Sequence, residues 1–220
     1  MRLPGCYLCF DPPEFPVPRS PPPMLARGHA VLGCFNPPTK LHDGVLSAWA
    51  CILAALPDAR LLLKARQYGE AEAAQAMRAR FAACGGDAAR LMLEGQSAYP
   101  AYFARYAAVD FMLDPFPFPG GTTTAEAIHA GVPTLTVRGR GGMMSRNGET
   151  LLTAAGIPDW IAADEADYVA QAIRRAQDAD GLAAVRARLS LGPLGDAAAH
   201  ARGLEGALRA MWRHWCEGQA

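Results

Sequence analysis

The amino-acid sequence predicts an α/β domain on a doubly wound parallel sheet. Short apolar runs alternate with longer segments of helical period, the pattern of strands covered on both faces. Glycine and proline punctuate the boundaries, most densely at Pro119-Gly120-Gly121, between a strand-like run and a helix start. With 220 residues, 51% of them hydrophobic, the chain can bury the core of one generous domain or two small ones.

Residues 1–28 form a proline-rich segment, in which Pro12-Pro13, Pro16, Pro18 and Pro21-Pro22-Pro23 exclude helix and central strand. It is a linker or an extended strap laid on a domain, and Tyr7, Phe10 and Phe15 favour the strap. Residues 29–220 read as one domain. A strand over 30–35 ends at Asn36-Pro37-Pro38. Asp43 is the expected N-cap of a helix that carries Val45, Leu46, Trp49, Ile52, Leu53 and Leu56 on one face and stops at Pro57. A second strand over 60–64 precedes an alanine-rich helix over 70–83, closed by Gly85-Gly86. A third strand over 90–93, a short helix over 100–108, and strands over 111–114 and 132–137 complete the alternation. Residues 138–142 read as a flexible basic loop before a helix over 147–155, and Asp164 caps the helix through Tyr168, Ile173 and Ala176. The last helix sets Leu204, Leu208, Met211, Trp212 and Trp215 on one face, with the tryptophans expected as core anchors.

Composition excludes several classes. Lys and Arg total 21 against 21 Asp and Glu, so no basic surplus points to nucleic acid or an anionic membrane. No apolar run approaches the ~20 residues that span a bilayer, and prolines from Pro4 onward interrupt any signal-peptide core. Cys6 and Cys9 form a C-x-x-C without a second pair, so no zinc or other metal is expected. Reduced structural cysteines and a cytoplasmic location are the expectation.

In a sheet of this kind ligands bind beyond the carboxyl ends of the strands. The 36–40 loop, the 95–99 loop and the Gly120-Gly121 turn all belong to that edge. A strand, a glycine-rich turn and a helix start make an anion site, because the first helical N–H groups lack intrahelical partners. Thr122, Thr123 and Thr124 add hydroxyls, and Glu126 lies about one turn inside the helix, where a carboxylate can meet a hydroxyl-rich group beside phosphates. An ordinary helix N-terminus with a solvated glutamate is the competing reading.

Taken together, these residues resemble a family. Gly33-Cys34-Phe35-Asn36 with Lys40, Leu113-Asp114-Pro115-Phe116-Pro117, Gly120 to Glu126, Gly131-Val132-Pro133 and Ser145-Arg146 are similar to the pattern of the O-linked N-acetylglucosamine transferase and SPINDLY-like proteins. Met211-Trp212 matches as well, and so does the opening, Leu3-Pro4 through Cys6-Tyr7 with Pro12. The resemblance covers essentially the whole chain. It implies a Rossmann-like sheet forming the C-terminal lobe of a GT-B glycosyltransferase, with the proline-rich strap and a C-terminal helix. That lobe binds UDP-sugar, UDP-N-acetylglucosamine in the first instance, without a metal cofactor.

The resemblance further implies Lys40 on the diphosphate, offsetting the leaving-group charge, with the Asn36 loop and Gly120, Gly121 and Thr122 to Thr124 around the phosphates. It puts Glu126, an aspartate in some relatives, on the ribose. Tyr102 stands where the family usually carries a histidine that stacks on uracil, so stacking can persist and any role of imidazole cannot. Retaining enzymes of this architecture carry two glutamates about this turn. Here Glu126 fills the second place and Phe118 the first, which favours inverting transfer. The family's N-terminal lobe and tetratricopeptide repeats are not in this sequence, so the expected partner is that lobe, and the chain alone is expected to be inactive. A nucleotide-sugar epimerase of similar architecture and a degenerate lobe that only packs are the alternatives.

Overall fold

The computed structural model describes residue 3 and residues 5–218. Pro4, part of the opening run that carries the resemblance, lies outside the described residues. A single turn of helix, α1 (Met24–Arg27), follows the triple proline. This corrects the expectation that residues 1–28 exclude helix: proline is tolerated ahead of a helix because its missing N–H would be an orphan there anyway. The chain then alternates β1 (Val31–Cys34), α2 (Asp43–Ala55), β2 (Arg60–Lys64), α3 (Ala71–Ala83), β3 (Leu91–Glu94), α4 (Tyr99–Ala104), β4 (Phe111–Leu113), α5 (Thr122–His129) and β5 (Thr134–Val137). It ends with α6 (Asn147–Ala154), β6 (Ile161–Ala162), α7 (Glu165–Gln177), α8 (Ala179–Arg188) and α9 (Ala197–Glu217). The short strand β6 and helix α8 have no counterpart in the sequence-based reading.

All neighbouring strands are parallel, in the order β3-β2-β1-β4-β5-β6. The order reverses between β1 and β4, so the loops leaving their carboxyl ends diverge and open a crevice. Alternate strand residues feed two cores. Leu61, Leu63, Phe111 and Leu113 join Leu46, Trp49, Phe81 and Tyr168 on one face. Leu62 and Met112 join Phe103, Tyr106, Ala125 and Phe10 on the other. The continuous apolar runs read from the sequence are therefore strands buried on both sides.

The proline-rich segment lies along the domain. Phe10 is buried and its N–H donates to Leu194 O at 2.8 Å. Arg19 donates to Leu189 O and to His129 O. Buried Asp110 accepts from Met24 N–H at 2.8 Å and Val31 N–H at 2.7 Å, which fixes the entry into β1.

Three local expectations change. His42, not Asp43, caps α2: its Nδ1 accepts from Gly44 N–H, while Asp43 begins the helix and pairs with Arg80. The loop over 138–142 is tied down rather than loose, because Gly139 N–H donates to Glu149, Gly141 N–H to Ser145 and Arg140 to Ala163 O. The tryptophans of α9 are not core anchors. Trp212 is 64% and Trp215 57% exposed, Leu204, Leu208 and Met211 are exposed too, and Ala207 is the buried residue of the helix among those described. The stripe is amphipathic as read, but it runs off the body of the domain, so its apolar face has no partner within the described chain. No helix among the described residues is long and apolar enough to cross a membrane.

Candidate functional site

The crevice between the loops after β1 and β4 gathers most of the residues singled out in the sequence. β4 ends in Asp114, which is fully buried. Its backbone carbonyl accepts from Tyr168 Oη at 3.0 Å, and that hydroxyl accepts in turn from Trp49 Nε1 at 3.0 Å. Helices α2 and α7 thereby pin the strand end from one face of the sheet. The Asp114 carboxylate then shapes the turn, accepting from Gly120 N–H at 3.0 Å and from Thr124 Oγ1 at 3.3 Å. Gly120 has to be glycine here: a Cβ would collide with the Thr123 and Thr124 hydroxyls and lie 3.0 Å from Asp114 Oδ1.

Helix α5 starts at Thr122 directly after Gly121, and its C-terminal end is closed by Gly131 at φ 74°. The first N–H groups of the helix, on Thr122, Thr123 and Thr124, have no intrahelical acceptor and face the turn. Thr122 is exposed and Thr123 half-buried, whereas Thr124 is buried with its hydroxyl on Asp114. Thr124 therefore offers a ligand its N–H and not its hydroxyl.

Lys40 reaches the same turn from the loop after β1. Its Nζ donates to Asn36 Oδ1 and Pro119 O, both at 3.0 Å, and lies 4.1 Å over the Phe118 ring. Thr123 Oγ1 also donates to Asn36 Oδ1, at 3.4 Å, so Asn36 links the two loops. Lys40 makes no ion pair with a described residue. Burial lowers its pKa, against the opposite pull of Asp114 and Cys34. A half-buried ammonium held by neutral oxygens, beside free helix N–H groups, is chemistry suited to an anion.

Burial pushes the Asp114 carboxyl up to about 6, despite Gly120 N–H, Lys40 and the Thr124 hydroxyl favouring its charged form. An unfolded aspartate titrates near ~4, so between those values the native state holds a proton that the unfolded chain has released. Stability therefore falls as pH rises from about 4 to about 6. Two pK units correspond to roughly 3 kcal/mol. Asp114→Asn removes this slope. The stability of the variant relative to the parent, from urea unfolding, is expected to rise by on the order of 2–3 kcal/mol between pH 4 and pH 7. A difference that stays constant with pH would mean an ordinary carboxyl at Asp114.

Glu126 is buried one turn into α5 and faces α4 rather than solvent. Oε2 accepts from Tyr102 Oη at 2.7 Å and Tyr106 Oη at 3.3 Å, and Oε1 accepts from Tyr99 Oη at 3.4 Å. Burial raises the Glu126 pKa, and the tyrosine hydroxyls pull it back. Tyr102 is thus joined to Glu126 through its hydroxyl. Its ring also lines a cleft of about 350 Å³ with Phe35, Lys64, Arg66, Gly95 and Ser97, at the carboxyl ends of β1, β2 and β3. On the other side of the turn a cleft of about 280 Å³ is lined by His42, Phe116, Pro119, Arg138 and Arg140.

The roles of Asp114, Tyr99 and Tyr106 were not read from the sequence. One signal was present: Tyr99, Tyr102 and Tyr106 recur at helical spacing, which puts their hydroxyls on one face.

The model of glycosyl transferase family 41 matches residues 24–192. The "Probable UDP-N-acetylglucosamine--peptide N-acetylglucosaminyltransferase SPINDLY" of Petunia hybrida is 35% identical over 99% of this chain and 24% of its own length. The protein of the same name from Arabidopsis thaliana is 32% identical over 100% of this chain and 24% of its own length. The chain thus spans about a quarter of the length of the curated relatives it matches. Among solved structures, a mutant O-GlcNAc transferase of Thermobaculum terrenum superposes with a TM-score of 0.90 at 31% identity, covering 100% of this chain and 42% of that one. A sucrose-phosphate synthase from Thermosynechococcus elongatus, at 17% identity and a TM-score of 0.55 over 84% of this chain and 46% of that one, shares the fold. The sheet is therefore a GT-B lobe, and the chain belongs to glycosyl transferase family 41.

Proposed function

We propose that this chain is the donor-binding lobe of an inverting protein O-glycosyltransferase, with UDP-N-acetylglucosamine as donor. One observation carries the reading: Lys40 Nζ and the open N–H groups of α5 converge on the Pro119–Gly121 turn at the point where the strand order reverses. A diphosphate supplies the charge that this site lacks. Glu126, one helical turn farther in, supplies a carboxylate for the ribose hydroxyls, and the cleft lined by Tyr102 supplies room for the base. The names of the relatives support the sugar and the peptide acceptor.

In this mechanism an acceptor hydroxyl attacks the anomeric carbon, the carbon–oxygen bond to the β-phosphate breaks, and UDP leaves with the electron pair. Lys40 and the helix N–H groups take up the charge developing on that phosphate, which is why no metal is called on. Phe118 supports inversion, because it puts an aromatic ring beside Lys40 where a retaining enzyme needs a carboxylate. The acceptor and its base belong to the remainder of the fold, opposite this crevice.

Titration calorimetry of the 220-residue chain with UDP tests the reading. With one wall of the cleft only, the site stays wet and its charges are screened. The expected Kd is ~1 mM, corresponding to ~4 kcal/mol. Absence of UDP binding at about ten times that concentration would leave the degenerate packing lobe as the reading.

A further inference from the structure

The donor reading leaves a conflict at Glu126. A carboxylate meant for a ribose is already engaged by three phenols in the free lobe. The contacts are unequal. Tyr106 is fully buried, and its one hydroxyl proton is shared between Glu126 Oε2 at 3.3 Å and Thr123 O at 3.2 Å. Tyr102 donates to the same oxygen at 2.7 Å and lies 3.1 Å from the Tyr106 hydroxyl. Burial and the nearby carboxylate push both phenols up, so they stay protonated and serve Glu126 as donors. Oε1 has a single weaker contact, the 3.4 Å bond from Tyr99, whose side chain is 48% exposed.

Tyr99 also lies beside Tyr102. The two rings are nearly parallel, 11° between planes and 6.2 Å between centroids. Tyr99 thus sets a flat ring next to that of Tyr102 and a hydroxyl on the outward carboxylate oxygen. A nucleoside has the same two features, a base and a ribose diol.

Resting on the donor reading above, we propose that Tyr102 and Tyr106 are positioning residues that hold Glu126 by Oε2 and aim Oε1 at a ribose cis-diol, and that Tyr99 occupies the nucleoside's place until a nucleotide displaces it. The site is specific for a ribonucleoside diphosphate over a nucleotide without the diol, and this specificity is set by Tyr102 and Tyr106 as much as by Glu126. Displacing Tyr99, which begins the helix and is half in solvent, costs one long hydrogen bond and its edge-to-face contacts with Phe15 and Phe103.

Two conservative variants of the full chain, each with UDP and 2′,3′-dideoxy-UDP as ligands, test this. Tyr102→Phe keeps the ring and loses the 2.7 Å bond, so UDP is expected to weaken roughly tenfold, the scale of a hydrogen bond to a charged group. Tyr99→Phe removes a competitor held by a long bond, so UDP is expected to tighten by roughly threefold. Tyr102→Phe leaves the dideoxy ligand unmoved, whereas Tyr99→Phe tightens both ligands alike, because each has to displace Tyr99. Equal weakening of both ligands by Tyr102→Phe, or a loss of UDP affinity in Tyr99→Phe, overturns the proposal while leaving the donor reading intact. No binding of either ligand to the unaltered chain overturns both.

Discussion

Lys40→Ala is expected to weaken UDP roughly ten- to hundredfold and to leave uridine unchanged. The difference isolates the phosphate. Nζ is within hydrogen-bond reach of Asn36 Oδ1 and Pro119 O only, among the described residues, and no carboxylate neutralises it at ion-pair distance. A phosphate oxygen entering the turn would complete its donors with a charge-assisted bond worth ~1.5–3 kcal/mol. Uridine carries no charge for Lys40 to meet, so its contacts with the Tyr102 cleft and Glu126 stay as they are. Lys40 is half-buried on a loop, and its removal leaves Asn36 still bonded to Thr123 at 3.4 Å, so the turn keeps its shape. Calorimetry with both ligands checks this. Equal losses for UDP and uridine would move Lys40 away from the diphosphate, and no loss for either would make it an ordinary solvated lysine.

Elements whose sequence pattern states their own burial were legible. β2 occupies Arg60–Lys64, the span its apolar run predicts. The Asp164 cap of α7 forms as read, accepting from Asp167 N–H at 2.9 Å. The Gly120-Gly121 turn was legible because a close approach leaves a chemical mark: a side chain at Gly120 has no room. What escaped depends on partners far apart in the chain. Asp114 looks like the polar end of a strand until Gly120 and Thr124 fold back on it. The three phenols on Glu126 come from α4 and the 3-10 turn after it, and their shared spacing does not say which distant carboxylate they meet. Helix α9 failed in a different way. An apolar stripe shows that a helix needs a partner, not that the partner is its own domain.

That unpartnered stripe leads to the largest expected effect: the 220-residue chain transfers no sugar by itself, and a second polypeptide carrying the remainder of a family catalytic region restores transfer by docking on α9. The chain covers 42% of the Thermobaculum structure and 24% of the plant relatives, so more than half of each of those proteins lies outside the matched region. Positioning of the acceptor supplies much of the rate in a transfer reaction, and one wall cannot position it. Leu204, Leu208, Met211, Trp212 and Trp215 lie exposed along α9, with the two tryptophan rings stacked at 5.3 Å. Stacked tryptophans on an exposed helix face are the residue type that dominates docking energies, at ~2 kcal/mol or more each when covered. Trp212→Ala with Trp215→Ala should therefore abolish association and transfer in the reconstituted mixture. UDP binding to the lobe itself should stay unchanged, because α9 contributes nothing to the crevice. Sedimentation reads the association, and a radiolabelled sugar reads the transfer. Robust transfer by the chain alone would refute the division between lobes, since it would need an acceptor site and a base within these residues. Association that survives loss of both tryptophans would move the docking face from α9 to the strap.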